Sequence, residues 1–146
     1  MLKTELENNI QIIEDVKNWE EAIKIASQPL LNNKKIQETY VEAMISNIHK
    51  TGPYIVIMPR VALPHSRPEN GVNETCISLL KINQGVSFSK DKEDVNIIFV
   101  LGAKDNDSHI DLITQLTDLL EDENNINNII LAKDSSEILG VIDKLN

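Results

Sequence analysis

Four of the five prolines in this 146-residue chain fall between residues 53 and 68, in the stretch GPYIVIMPRVALPHSRPENG. A proline donates no backbone hydrogen bond and fixes its own φ, so this density excludes a helix and a central strand. The segment must be loop or sheet edge. Before it, IQII (10–13) reads as a short strand, and Asn18 with Glu21 has capping-box spacing at the start of a helix through WEEAIKIAS. Pro29 is expected to end or bend that helix. KIQETYVEAMISNIHK forms a second helix with Ile36, Tyr40, Val41, Met44, Ile45 and Ile48 on one face, stopped by Gly52. YIVIM (54–58) leads as a strand into the proline segment, and CISLLKI and VNIIFVLGA follow as strands, the second apolar enough to be buried on both faces. Ser108, with Asp111 at the capping-box position, opens the helix HIDLITQLTDLLED. NINNIILAK and SSEILGVIDKL are the last helical stretches. Helices before, between and after strands predict an α/β domain, helices packed on a mixed sheet, with residues 1–146 as a single domain.

Composition narrows the function. Fourteen basic and 23 acidic residues leave a net charge of −9, which opposes binding to a polyphosphate backbone; no nucleic-acid partner is expected. No apolar run reaches membrane-spanning length and MLKTELENN lacks a signal-peptide core, so the expected location is cytoplasmic. The single cysteine, Cys76, cannot form an internal disulfide and reads as a small buried hydrophobe.

The chemistry gathers at VALPHSRPENGV. His65 lies between Pro64 and Pro68, which restrict the backbone on both sides and narrow where the imidazole points. The chain's only two arginines, Arg60 and Arg67, flank it, and the remaining basic residues are lysines scattered along the chain. A guanidinium fork matches a phosphoryl group or a carboxylate, and a neutral imidazole has a free nitrogen that can attack phosphorus. Phosphoryl transfer needs mostly positioning and charge stabilisation. His109 sits in the first turn of a predicted helix after a buried strand, where α/β sheets place anions. Two readings stand for it: a partner to a phosphoryl group on His65, or an exposed first-turn residue. His49, near a helix C-terminus, reads as surface decoration. A zinc site would have to draw on His65, His109 and Asp107 or Glu69, short of a convergent set, so no metal and no cofactor are expected. Ser66 is the residue beside His65 in sequence, and the chain has no Gly-x-Ser-x-Gly elbow, which disfavours a serine hydrolase.

ALPH at a strand end, preceded by YVEAM in a helix and followed by SHIDLITQLTDLL, resembles the enzyme IIA domains of the mannitol–fructose class of the bacterial phosphoenolpyruvate-dependent sugar phosphotransferase system. The longer GPYIVIMPRVALPHSRPENGV looks most like the ascorbate-type branch. The resemblance implies a three-layer fold with a mixed, about five-stranded sheet flanked by helices. It implies a phosphocarrier in which His65 receives phosphoryl from the histidine phosphocarrier protein and passes it to a cysteine of enzyme IIB. His109 would assist without being phosphorylated, and contact with a membrane would be indirect, through the IIB and IIC transporter. Mannitol-type relatives carry an arginine late in the helix that here reads YVEAMISNIHKTG, which has none; its neutralising role falls to Arg67. Arg60 and Ser66 are the other candidate phosphoryl-stabilising residues. Two alternatives differ in class: a nitrogen-type or other regulatory IIA module whose phosphorylation controls binding, and a ligand-binding domain that holds an anion on Arg60 and Arg67.

Overall fold

The computed structural model describes residues 2–105, 107 and 110–145. His109, and Ser108 as the expected cap of its helix, lie outside the described residues. The strands are β1 (Ile10–Ile13), β2 (Val56–Met58), β3 (Val61–Ala62), β4 (Cys76–Val86) and β5 (Val95–Gly102). They form one five-stranded sheet in the order β1-β4-β5-β3-β2. β1 runs parallel to β4 and β3 parallel to β5, whereas the β4–β5 and β2–β3 pairs are antiparallel, so the sheet is mixed.

Alternation along β5 shows why the architecture has three layers. Successive side chains of a strand point to opposite faces. Ile98 and Val100 enter a core with α2 (Trp19–Asn32) and α3 (Glu38–Thr51), through Ala22, Ile23, Ala26, Tyr40, Val41 and Met44. Ile97, Phe99 and Leu101 enter the opposite core with α1 (Leu2–Leu6), α4 (Ile110–Glu121), α5 (Glu123–Leu131) and α6 (Ser135–Asp143). Every residue of β5 is buried, Asn96 included, as its largely apolar sequence predicts. The short helix α1 has no counterpart in the sequence expectations; it packs Leu2 and Leu6 into that second core.

Local signals hold at several ends. The Asn18 side chain accepts from the Glu21 N–H at 2.9 Å, and Asp122 and Asp134 cap α5 and α6 in the same way. Gly52 ends α3 with φ +89°, a conformation that favours glycine. Ile36 falls before the helix, bridged to Val72, and the YIVIM strand begins only at Val56.

Two proline expectations are corrected. The first concerns the 53–68 segment, which is not wholly loop or edge: β3 lies inside the sheet, between β5 and β2. Pro59 and Pro64 flank this two-residue strand without occupying it, so no ladder donor is lost. The second concerns Pro29: of the two expected effects, an end or a bend, the end is ruled out, because α2 continues to Asn32. A residue at 29 would donate its N–H to the Ile25 carbonyl, and proline cannot. Gln11 in β1 supplies the missing donor, its Nε2 standing 2.7 Å from the Ile25 oxygen. A long-range side chain thus replaces a local helix bond. Gln11→Ala should therefore destabilise the protein by about 1–2 kcal/mol in urea or thermal unfolding, the cost of an orphaned carbonyl. Adding Pro29→Ala should recover part of that loss, because residue 29 regains its own N–H. Equal stability of Gln11→Ala and the parent would contradict the account.

Candidate functional site

β3 delivers the histidine. Its parallel register with β5 pairs Val61 with Ile97 and Ala62 with Ile98, and the Leu101 N–H then donates to the Pro64 carbonyl at 3.2 Å. The chain leaves the sheet beside the C-terminal end of β5, where open α/β sheets put their ligands. His65 is the first exposed residue after it.

The imidazole is oriented by its own loop. Nδ1 lies 2.8 Å from the Leu63 carbonyl oxygen. A carbonyl only accepts, so Nδ1 carries the proton and Nε2 is left with its lone pair. Tyr54, itself exposed, stands edge-on to the ring with centroids 6.1 Å apart. His65, Ser66 and Pro68 line a cleft of about 180 Å³ with Tyr40, Leu101, Ala103 and Asp105.

Ser66 is tied down from two helices' worth of chain. Its N–H donates to the Tyr40 hydroxyl at 3.0 Å, and that hydroxyl donates to the Leu101 carbonyl at 2.6 Å. The Ser66 carbonyl, at 3.4 Å from the same hydroxyl, is the longer and weaker acceptor. Burial pushes the Tyr40 hydroxyl up to about 12, so it stays a donor at neutral pH. Ser66 Oγ accepts from Asn47 Nδ2 of α3 at 3.1 Å and from Asn70 Nδ2 at 2.6 Å. Asn70 ends a single 3₁₀ turn, Pro68–Asn70, and its carbonyl accepts from Thr39 Oγ1 at 2.8 Å. Gly71, at φ +137°, brings the backbone so near α3 that a Cβ there would stand 2.7 Å from Thr39 Oγ1.

The two arginines separate. Arg67 is exposed beside His65, its side chain without a hydrogen-bond or ion-pair partner among the described residues. Arg60 is at the opposite end of β3. Its carbonyl accepts from the Asn96 and Ile97 N–H groups, and its Nε donates to Asn96 Oδ1 at 3.0 Å. Four to five residues of extended chain, at about 3.3 Å each, put it roughly 15 Å from His65. Arg60 also adopts φ +76°, a left-handed turn between β2 and β3. Arg60 thus lies in the turn at the far end of β3, bonded to Asn96, and Arg67 is the arginine on the histidine loop. His49 sits elsewhere again, 3.3 Å from Glu20 and against Trp19. Cys76 is fully buried in β4, its thiol pushed up to about 12 by burial, so it remains a thiol. Among the described residues no three His, Cys, Asp or Glu side chains gather as a metal site. Nor is any helix there long and apolar enough to cross a membrane.

Sequence reasoning missed Tyr40, Asn47 and Asn70 as parts of this site. Tyr40 sits on the apolar face of α3 and reads as core, which its ring is. Only its hydroxyl reaches the loop, and no spacing in the sequence marks that.

Comparison with known proteins agrees with this geometry. Residues 5–145 match the family model for "Phosphoenolpyruvate-dependent sugar phosphotransferase system, EIIA 2". The mannitol-specific cryptic phosphotransferase enzyme IIA component of Escherichia coli is 35% identical over 138 residues, 94% of each chain. The solution structure of that Escherichia coli enzyme IIA covers 99% of both chains at 34% identity, with a TM-score of 0.91. The ascorbate-specific EIIA component of Escherichia coli is 33% identical over 140 residues, 94% of this chain and 91% of its own. A structure of the Escherichia coli mannitol enzyme IIA in complex with phosphorylated enzyme IIB matches 93% of this chain and 94% of that one, at 26% identity and a TM-score of 0.80. With this fold, an exposed histidine at the sheet's ligand end and a family match spanning nearly the whole chain, the protein belongs to the EIIA 2 family of the phosphoenolpyruvate-dependent sugar phosphotransferase system and is a phosphotransferase.

Proposed function

We propose that this protein accepts a phosphoryl group on His65 from the histidine phosphocarrier protein and passes it to a cysteine of enzyme IIB, in the uptake of ascorbate or a related sugar or polyol. The observation that carries this reading is the 2.8 Å bond between Nδ1 and the Leu63 carbonyl, which leaves Nε2 free and exposed. The Nε2 lone pair forms the N–P bond as the bond from phosphorus to the donor's imidazole breaks, its electron pair returning to that ring. In the second step a thiolate of enzyme IIB forms the S–P bond and the N–P pair returns to Nε2. The proton stays on Nδ1, donated to the Leu63 carbonyl throughout, so transfer from His65 expels a neutral imidazole and no other proton on this ring has to move.

Arg67, unpaired among the described residues and beside His65, meets the charge of the phosphoryl group; Ser66 adds a hydroxyl. His109 assists without carrying phosphate. The complex of the mannitol enzyme IIA with its enzyme IIB supports the choice of acceptor. The mannitol- and ascorbate-specific names of the relatives favour transport over a purely regulatory module. Carriers must meet and part quickly, so a modest, weak interface around the His65 loop suits the role.

Incubated with phosphoenolpyruvate and the general carriers, the protein should gain one phosphate on His65, labile in acid and stable in alkali. His65→Ala should gain none, and His49→Ala should behave as the parent. Phosphate on Ser66, or an acid-stable adduct, overturns the assignment. Arg67→Ala and His109→Ala should still accept phosphate on His65. Their onward transfer to enzyme IIB should slow, on the order of tenfold for the exposed arginine and about 100-fold for His109, as when one transition-state donor is removed. Parent rates in stopped-flow transfer would return either residue to the surface.

A further inference from the structure

We propose that Asn47 and Asn70 are positioning residues for phosphoryl transfer, acting through the Ser66 hydroxyl. The proposal rests on His65 as the phosphoryl carrier. A hydroxyl oxygen has two lone pairs and one proton. Both lone pairs of Ser66 Oγ are occupied, by Asn47 Nδ2 at 3.1 Å and Asn70 Nδ2 at 2.6 Å. The Ser66 proton must therefore be donated, and neither amide nitrogen can take it. Ser66 lines the cleft at His65 and follows it in sequence. It cannot swing away, because its N–H is held by Tyr40 Oη at 3.0 Å and Tyr40 in turn by the Leu101 carbonyl.

A serine with a free lone pair or a nearby carbonyl can turn its proton inward. Two amides from opposite sides, one on α3 and one on the 3₁₀ turn, deny it that choice. The acceptor that arrives with function is a phosphoryl oxygen on Nε2. A neutral donor suits this task, since the group must be held in line for the next attack and then released. The side chains of Asn47 and Asn70 are part-buried at these bonds, so solvent competes only weakly for the two amides.

The alternative is that the asparagines merely pin the loop to α3, and a double-mutant cycle separates the two. Leucine is near in size to asparagine, uncharged, and has no donor. From preformed phosphoprotein, Ser66→Ala should slow transfer to enzyme IIB by about tenfold, the value of a hydrogen bond to a charged group. Asn47→Leu and Asn70→Leu should each slow it by about threefold to tenfold, while His65 still becomes phosphorylated. In the Ser66→Ala chain, adding either leucine should cost nothing more. Losses that persist undiminished in the Ser66→Ala chain mean loop pinning and overturn the proposal, as does parent-rate transfer by Ser66→Ala. Failure of the parent to acquire phosphate on His65 is a different result, and sinks the phosphocarrier reading itself.

Discussion

The backbone of Leu101 holds the site together. This residue lies near the end of the buried strand β5, and its two polar groups support the histidine loop, one directly and one through Tyr40. Its N–H donates to the Pro64 carbonyl, and its carbonyl receives the Tyr40 hydroxyl that holds the Ser66 N–H. Residues 64 and 66 are thus fixed to one residue of β5, the first directly and the second through Tyr40, and His65 stands between them. The central strand has little freedom to shift, because Ile97, Phe99 and Leu101 lie in one core and Ile98 and Val100 in the other. Close-packed cores resist displacement, so the rigidity of the sheet passes to the imidazole. A carrier gains from this. A ring already held in one orientation loses less entropy when it binds a partner.

Several polar groups in this protein are satisfied over long distances where the local chain fails to supply a partner. Gln11 completes α2 across Pro29, and Asn96 takes Arg60 Nε while its own amide donates to the Ile82 carbonyl. Lys81, buried in β4, places its ammonium on the Ala132 carbonyl past the end of α5, and desolvation lowers its pKa. An unpaired polar group in such surroundings costs about 1–3 kcal/mol, so each pairing ties its elements into one register. The same economy governs the site. Ser66 is surrounded by neutral donors, and Arg67, two residues from His65, is exposed and unpaired among the described residues.

Much of this was legible in residue order. Asn18 and Glu21 marked a helix start, Gly52 a helix end, and the apolar run at 95–102 a strand buried on both faces; each rests on interactions within a few residues. The restricted loop around the histidine followed from Pro64 and Pro68, because proline restricts the chain whatever surrounds it. Tertiary structure decided the rest. It carried α2 through Pro29 with a donor from β1, put Val61–Ala62 inside the sheet, and sent Arg60 and Arg67 to opposite ends of an extended segment. It also turned Tyr40, Asn47 and Asn70 toward Ser66 from 26, 19 and 4 residues away. Local sterics are written in neighbouring residues, whereas a hydrogen bond between distant groups exists only once two cores have packed and set the distance between them.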